Sequence, residues 1–232
     1  MGWKEYYRPE TRPILLKDNL PFYKKAIDRL RVSPKFLPHS QIQTFALAGF
    51  YPDPSADTPK NFVNFCQSIH PHSSDRYLVF DMNSEPFLRY PRQNMVNLPN
   101  TVFTQARFEA LPVPKHSVDI ILADYTINFM SPQQVGQLSR SLKNALSPNG
   151  LLLAMVSDPA IPFIESITKT RHHRVKYHVW NPTSLAAALT DLKPVFSSNC
   201  GSNSLSSLLG YSQPESAWMR DDCKGDLILS AA

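Results

Sequence analysis

Two kinds of residue in this chain stand where they could do chemistry. The first is an acid that closes an apolar run: Asp81 ends RYLVFD, and Asp124 follows VDIILA. If such a run is a parallel strand, its last residue lies at the edge where open α/β sheets bind ligands. A carboxylate there accepts two hydroxyl hydrogen bonds at once and holds a diol better than a neutral acceptor. The same acid could equally cap a helix or solvate a loop. The second kind is the segment 171–180, RHHRVKYHVW, in which His172, His173, His178, Tyr177 and Trp180 are interleaved with three cations. As a functional unit it would be a lid over an aromatic or anionic acceptor, with His173 or His178 as base. As ordinary structure it is a solvated basic loop with one edge strand. Residues 124–128, DYTIN, add Tyr125 to the acceptor-side candidates. The histidines have no Cys partner and no helical spacing, so no metal site is read. One short basic-aromatic patch without a second motif does not make a nucleic-acid surface either.

The composition bounds what could hold these groups. With 232 residues, 42% hydrophobic and 19% charged, the chain can bury a real core and is no disordered tail. A net charge of +5 is modest and spread along the chain. Seven glycines against 21 prolines leave little for a glycine-rich phosphate loop. Cys66, Cys200 and Cys223 are an odd number without CxxC. They read as reduced thiols, with a Cys200–Cys223 bridge left open. MGWKEYYRPETRP has no apolar core of a signal peptide, and Tyr6 occupies the myristoylation Ser/Thr position. No apolar run nears the roughly 18 residues of a spanning helix, so a cytoplasmic protein without membrane contact is expected.

Apolar runs alternate with helical signals. Strands are expected at 42–49, 76–81, 101–105, 118–123 and 151–156, then at 193–197 and 226–230. Residues 20–31 carry helical spacing through Phe22, Ala26, Ile27 and Leu30. Thr58-Pro59 looks like an N-cap and first helical residue, Ser131-Pro132 likewise, and Asn181-Pro182-Thr183 caps a further helix. Ser147-Pro148-Asn149-Gly150 reads as a stop. Buried strands alternating with helices predict an α/β fold: a doubly wound, mostly parallel seven-stranded sheet. The last two strands lack a helical connection and should form an antiparallel hairpin. An N-terminal helical cap segment, 1–40, would precede an α/β domain at 41–232.

In this order the residues resemble class I S-adenosylmethionine-dependent methyltransferases, in particular the small-molecule group with an LPF-type motif. The likeness rests on YLVFDMN with Asp81, on QARFEALPVP, on Ser117-Val118-Asp119 and on Leu146-Ser147-Pro148-Asn149-Gly150, and spans about residues 42–158. It implies a Rossmann-like fold and S-adenosylmethionine as cofactor. It places the ribose on Asp81, the adenine between Met82 and Phe108 beside Arg107, and the methionine portion over Gly49. Ala123 and Asp124 complete the implied cofactor set. Asp119 lies at the far end of its strand and is read as structural.

The chain departs from the family at the first strand. One glycine, Gly49, stands where the family has three, followed by Phe50-Tyr51-Pro52-Asp53. The longer loop should weaken the use of helix N–H groups on the cofactor's carboxylate. Arg107 replaces an acid that often contacts adenine. Two function classes follow: a methyltransferase acting on a small-molecule acceptor, or a methyltransferase-fold scaffold with a protein partner that no longer binds cofactor. An outward path for Tyr51, leaving the cleft open, favours the first.

Overall fold

A computed structural model describes residues 16–30, 41–49, 57–84, 87–88, 97–124, 126–157, 180, 182–199 and 225–231. The apolar runs become β1 (Thr44–Ala48), β2 (Arg76–Asp81), β3 (Thr101–Gln105), β4 (Val118–Asp124) and β5 (Leu146–Ser157), with β6 (Lys193–Asn199) and β7 (Gly225–Ala231) after them. Helices are α1 (Leu16–Leu30), α2 (Thr58–Ile69), α3 (Pro132–Ala145) and α4 (Pro182–Ala188). The strands form one seven-stranded sheet in the order β3-β2-β1-β4-β5-β7-β6. The first five pair in parallel, while β7 runs antiparallel to both β5 and β6. This is the doubly wound sheet with a terminal antiparallel hairpin that the sequence predicts. No helix among the described residues is long and apolar enough to cross a membrane.

The central strands are apolar on both faces because helices cover both. Phe45, Leu47, Tyr77, Val79, Ile120 and Leu122 pack with Tyr23, Ile27, Phe62 and Ile69 of α1 and α2. The alternate residues Ala46, Ala48, Phe80, Ile121 and Ala123 pack with Val135, Leu138 and Leu142 of α3 and Leu185 of α4. Period-two alternation thus sends every second strand residue to the α1–α2 side. That parity decides where the site residues point.

Some boundaries differ from the sequence reading, each for a physical reason. Helix α1 begins at Leu16, four residues early: Leu16 and Asn19 extend its buried face, and a polar Asn19 there is what an apolar pattern cannot register. The N-cap of α2 is Asp57, with Thr58 and Pro59 in its first turn. Ser147–Gly150 does not stop outside the sheet. Strand β5 already pairs at Leu146 with Val118 and resumes at Leu151 with Ile120, so the intervening residues bulge outward. Gly150 permits that: a Cβ there would stand 2.9 Å from the backbone of both Ser147 and Val118. Helix α3 starts as read, on Ser131, whose hydroxyl accepts from the Gln134 N–H while the Gln134 side chain accepts from the Ser131 N–H.

Two carboxylates pin the amino end of β1. Asp75 accepts from the Gln43 N–H at 2.9 Å and pairs with His70 Nδ1 at 2.6 Å, and both side chains are fully buried. Asp119 accepts from the Thr44 N–H at 2.8 Å and from the Ser147 hydroxyl at 2.7 Å, which is the structural role read for it. Asp75→Ala leaves both a buried main-chain donor and His70 without their acceptor. Urea denaturation should show a loss of about 3 kcal/mol with an unchanged m value.

Candidate functional site at the carboxyl rim of the sheet

Parallel pairing sets the site in one register row. Ala48 is level with Phe80, and Leu47 with Leu122. One step past Ala48, Gly49 is therefore level with Asp81 on one side and Asp124 on the other. The row extends outward to Gln105, opposite Asp81, and to Met155, opposite Asp124. Neighbouring strands are about 4.8 Å apart, so a glycine lies between two carboxylate-bearing positions. By parity Asp81 follows Tyr77 and Val79, and Asp124 follows Ile120 and Leu122, so both belong to the α1–α2 face.

Gly49 ends β1 with φ +78, a backbone region that side chains disfavour, and donates its N–H to the Phe80 carbonyl at 2.7 Å. A Cβ at this position would come within 2.8 Å of Thr126 Oγ1. That hydroxyl donates to the Ala48 carbonyl, so Thr126, from the short 3-10 turn Thr126–Phe129, seals the end of β1. Gly49→Ala combines backbone strain with displacement of Thr126. It should destabilise by about 2 kcal/mol in a urea titration, and adding Thr126→Ala should recover only the displacement share.

Around Asp81 the chain makes a tight polar turn. Asp81 is 8% exposed, and its Oδ1 accepts from the Asn83 N–H at 2.7 Å and the Asn83 amide at 3.3 Å. Met82 is exposed, and its carbonyl accepts from Gln105 at 3.1 Å. The Ala106 N–H donates to the Asp81 carbonyl, joining this turn to the loop after β3. In that loop Phe108 is buried against the α3 side of the core, whereas Arg107 lies outside and engages Glu109 Oε1 through Nε at 2.8 Å and Nη2 at 2.7 Å. Glu109, two residues on, is thus paired with Arg107.

Asp124 ties the rim to the N-terminal helix. Its carboxylate accepts from the Asn19 amide at 3.0 and 3.2 Å and from the Tyr23 hydroxyl at 2.9 Å. Asn19 and Tyr23 are buried, and neither was among the site candidates. Their signal in the sequence was faint: two polar side chains one turn apart on a face otherwise apolar. Asp124→Ala removes the carboxylate that both donors bind. Amide hydrogen exchange across α1 should accelerate at least about tenfold, while α3 exchanges at its former rate.

The other candidates are distributed unevenly. Ala123 is buried on the α3 side, one residue from Asp124. Tyr125, His173, His178 and the loop 50–56 with Tyr51 lie outside the described residues, as do Cys200 and Cys223. Trp180 is buried against α4. Cys66 is fully buried in the α1–α2 core, and burial, with the Asp75 charge behind it, pushes its thiol well up, so it is no thiolate nucleophile. No group of three metal-ligating side chains occurs among the described residues.

Residues 64–154 match a family model described as a methyltransferase domain. A search of curated proteins finds no match. Geranyl diphosphate C-methyltransferase from Streptomyces coelicolor A3(2) is a similar solved structure, with a TM-score of 0.64 at 10% identity over 90% of this chain and 80% of that one. An S-adenosylmethionine-dependent methyltransferase from Mesorhizobium loti has a TM-score of 0.60 at 16% identity, covering 90% of this chain and 96% of that one. The N-methyltransferase NodS from Bradyrhizobium japonicum WM9 follows at 0.51 and 16%, with 92% and 98% covered.

Proposed function

This chain has the fold of class I S-adenosylmethionine-dependent methyltransferases with a methyltransferase-domain match at its centre, and from that premise we propose that it is such an enzyme, acting on a small-molecule acceptor. The observation that carries the reading is the row Asp81–Gly49–Asp124 at the carboxyl rim. Asp81 is the group for the ribose: a nearly buried carboxylate can accept from two adjacent hydroxyls with little competition from water. Met82 and the loop at Arg107 and Phe108 flank the adenine side, with the exposed Met82 thioether able to lie on a flat ring. Gly49, whose turn carries no side chain, underlies the methionine portion, and Ala123 and Asp124 bound the far end.

When bound, S-adenosylmethionine supplies a methyl group on a good sulfonium leaving group. The protein's share is then mostly placement. Holding an acceptor in line supplies the larger part of the effect, and a base is needed only for weak nucleophiles. Helix α1, held on Asp124 through Asn19 and Tyr23, acts as a cap that walls the rim and keeps water from it. Tyr125, His173 and His178 are the acceptor-side candidates for orientation or proton removal.

Calorimetry with S-adenosylmethionine and S-adenosylhomocysteine tests the reading. The wild type should bind both, and Asp81→Ala should lose about 1.5–3 kcal/mol of charged hydrogen bonding, a roughly ten- to hundredfold weakening. Equal affinity in the variant would place the ribose elsewhere. Absence of binding at millimolar ligand in the wild type would favour the scaffold class.

A further inference from the structure

Strand β3 ends the sheet on one side, and none of its five residues is buried; Val102 is 53% exposed. A terminal strand offers main-chain donors and acceptors to any chain that lies beside it. The bonds to β2 tell which ones. The Tyr77 N–H donates to the Asn100 carbonyl, and the Ala106 N–H donates to the Asp81 carbonyl. Even-numbered positions here therefore turn their main-chain groups toward β2, while Thr101 and Gln105 turn theirs outward. Among the described residues no strand meets them there. Such an edge is usually blunted by lysine, by proline or by a bulge. Thr101-Val102-Phe103-Thr104-Gln105 has neither residue, and it pairs with β2 without a register shift. In sequence the uncharged stretch runs from Gln93 to Ala106, in a chain with 19% charged residues and a net charge of +5.

Charge selects the occupant. Two copies of a cationic chain repel, and a neutral strand is where they approach without setting like charges face to face. The strand is also its own match. A two-fold axis at Phe103 sets two copies antiparallel, with Thr101 opposite the partner's Gln105. Both turn main-chain groups outward, so each such pair exchanges two hydrogen bonds. On the opposite face of the strand Val102 falls opposite the partner's Thr104, and a β-branched neighbour covers the exposed valine. We propose that β3 is a dimerisation edge, on which a second copy of this chain lays its own β3 antiparallel, making one continuous sheet through two molecules. The contact is below the standard interface size of about 1,600 Å², so the dimer is a weak one that dissociates on dilution. It bears on the rim as well. Gln105, which holds the Met82 carbonyl at the outer end of the rim row, has its main chain fixed by the partner's Thr101.

Sedimentation velocity on the full chain, from about 1 to 300 µM, should show one chain passing to twice its mass as concentration rises. Two double variants then test the register. Val102→Lys with Thr104→Lys sets ammonium groups opposite one another across the axis and should raise the dissociation constant at least about tenfold. Val102→Lys with Thr104→Glu sets opposite charges across the same pairs and should keep it within about threefold of the wild type. Neither side chain is buried, so both variants should melt close to the wild-type temperature. In the wild type the amides of Thr101 and Gln105 should exchange more slowly with hydrogen from solvent as concentration rises, and in the double-lysine variant they should not. A wild type that stays monomeric throughout would overturn the proposal. So would a dimer that the two double variants weaken alike or not at all.

Discussion

Everything at the rim depends on how β1 is held. It is the strand from which the register of β2 and β4 is counted, and a slip of one residue would turn Asp81 and Asp124 to the wrong face. Its amino end is fixed by two successive main-chain donors, Gln43 and Thr44, each bound by a carboxylate from a neighbouring part of the sheet. Its carboxyl end is closed by Gly49, turned by a positive φ and backed by Thr126. With both ends fixed, the carboxylates beside it need no separate device to find their places.

Four acids bracket this strand, and their depth in the sheet separates their roles. Asp75 and Asp119 lie at the amino edge and spend their oxygens on backbone and on His70 and Ser147. Asp81 and Asp124 lie at the edge where open sheets accept ligands. Even there the two differ. Asp81 folds onto its own turn through Asn83, whereas Asp124 reaches across to α1. A carboxylate engaged with a helix from a remote part of the chain makes the cap and the rim one mechanical unit.

The strands were legible because burial on both faces leaves near-continuous apolar runs, and Ser131-Pro132 was legible because capping chemistry is local. Asp81, Gly49 and Asp124 were legible as run-ending residues, but their alignment in one row was not, since register is a property of pairing. Asp75 and His70 escaped notice because nothing in a sequence separates a buried acid from a turn acid. Asn19 and Tyr23 escaped because helix α1 buries polar groups only by virtue of a partner about a hundred residues away. Thr58 was read as a cap; its burial without a partner belongs to tertiary structure alone.

The place of β7 has a consequence for how the chain comes together. This last strand lies between β5 and β6, and among the described residues β6 pairs with no other strand. During synthesis from the N-terminus the five parallel strands can assemble first, since each joins a strand already made or soon to follow. Strand β6 has no place to dock until β7 has left the ribosome. Until then β5 presents an open edge of unpaired main-chain groups, a template for pairing with another chain. The interval between translation of β5 and arrival of β7 is therefore when a nascent molecule is most exposed to misassembly, and a chaperone that shields a strand edge would act there.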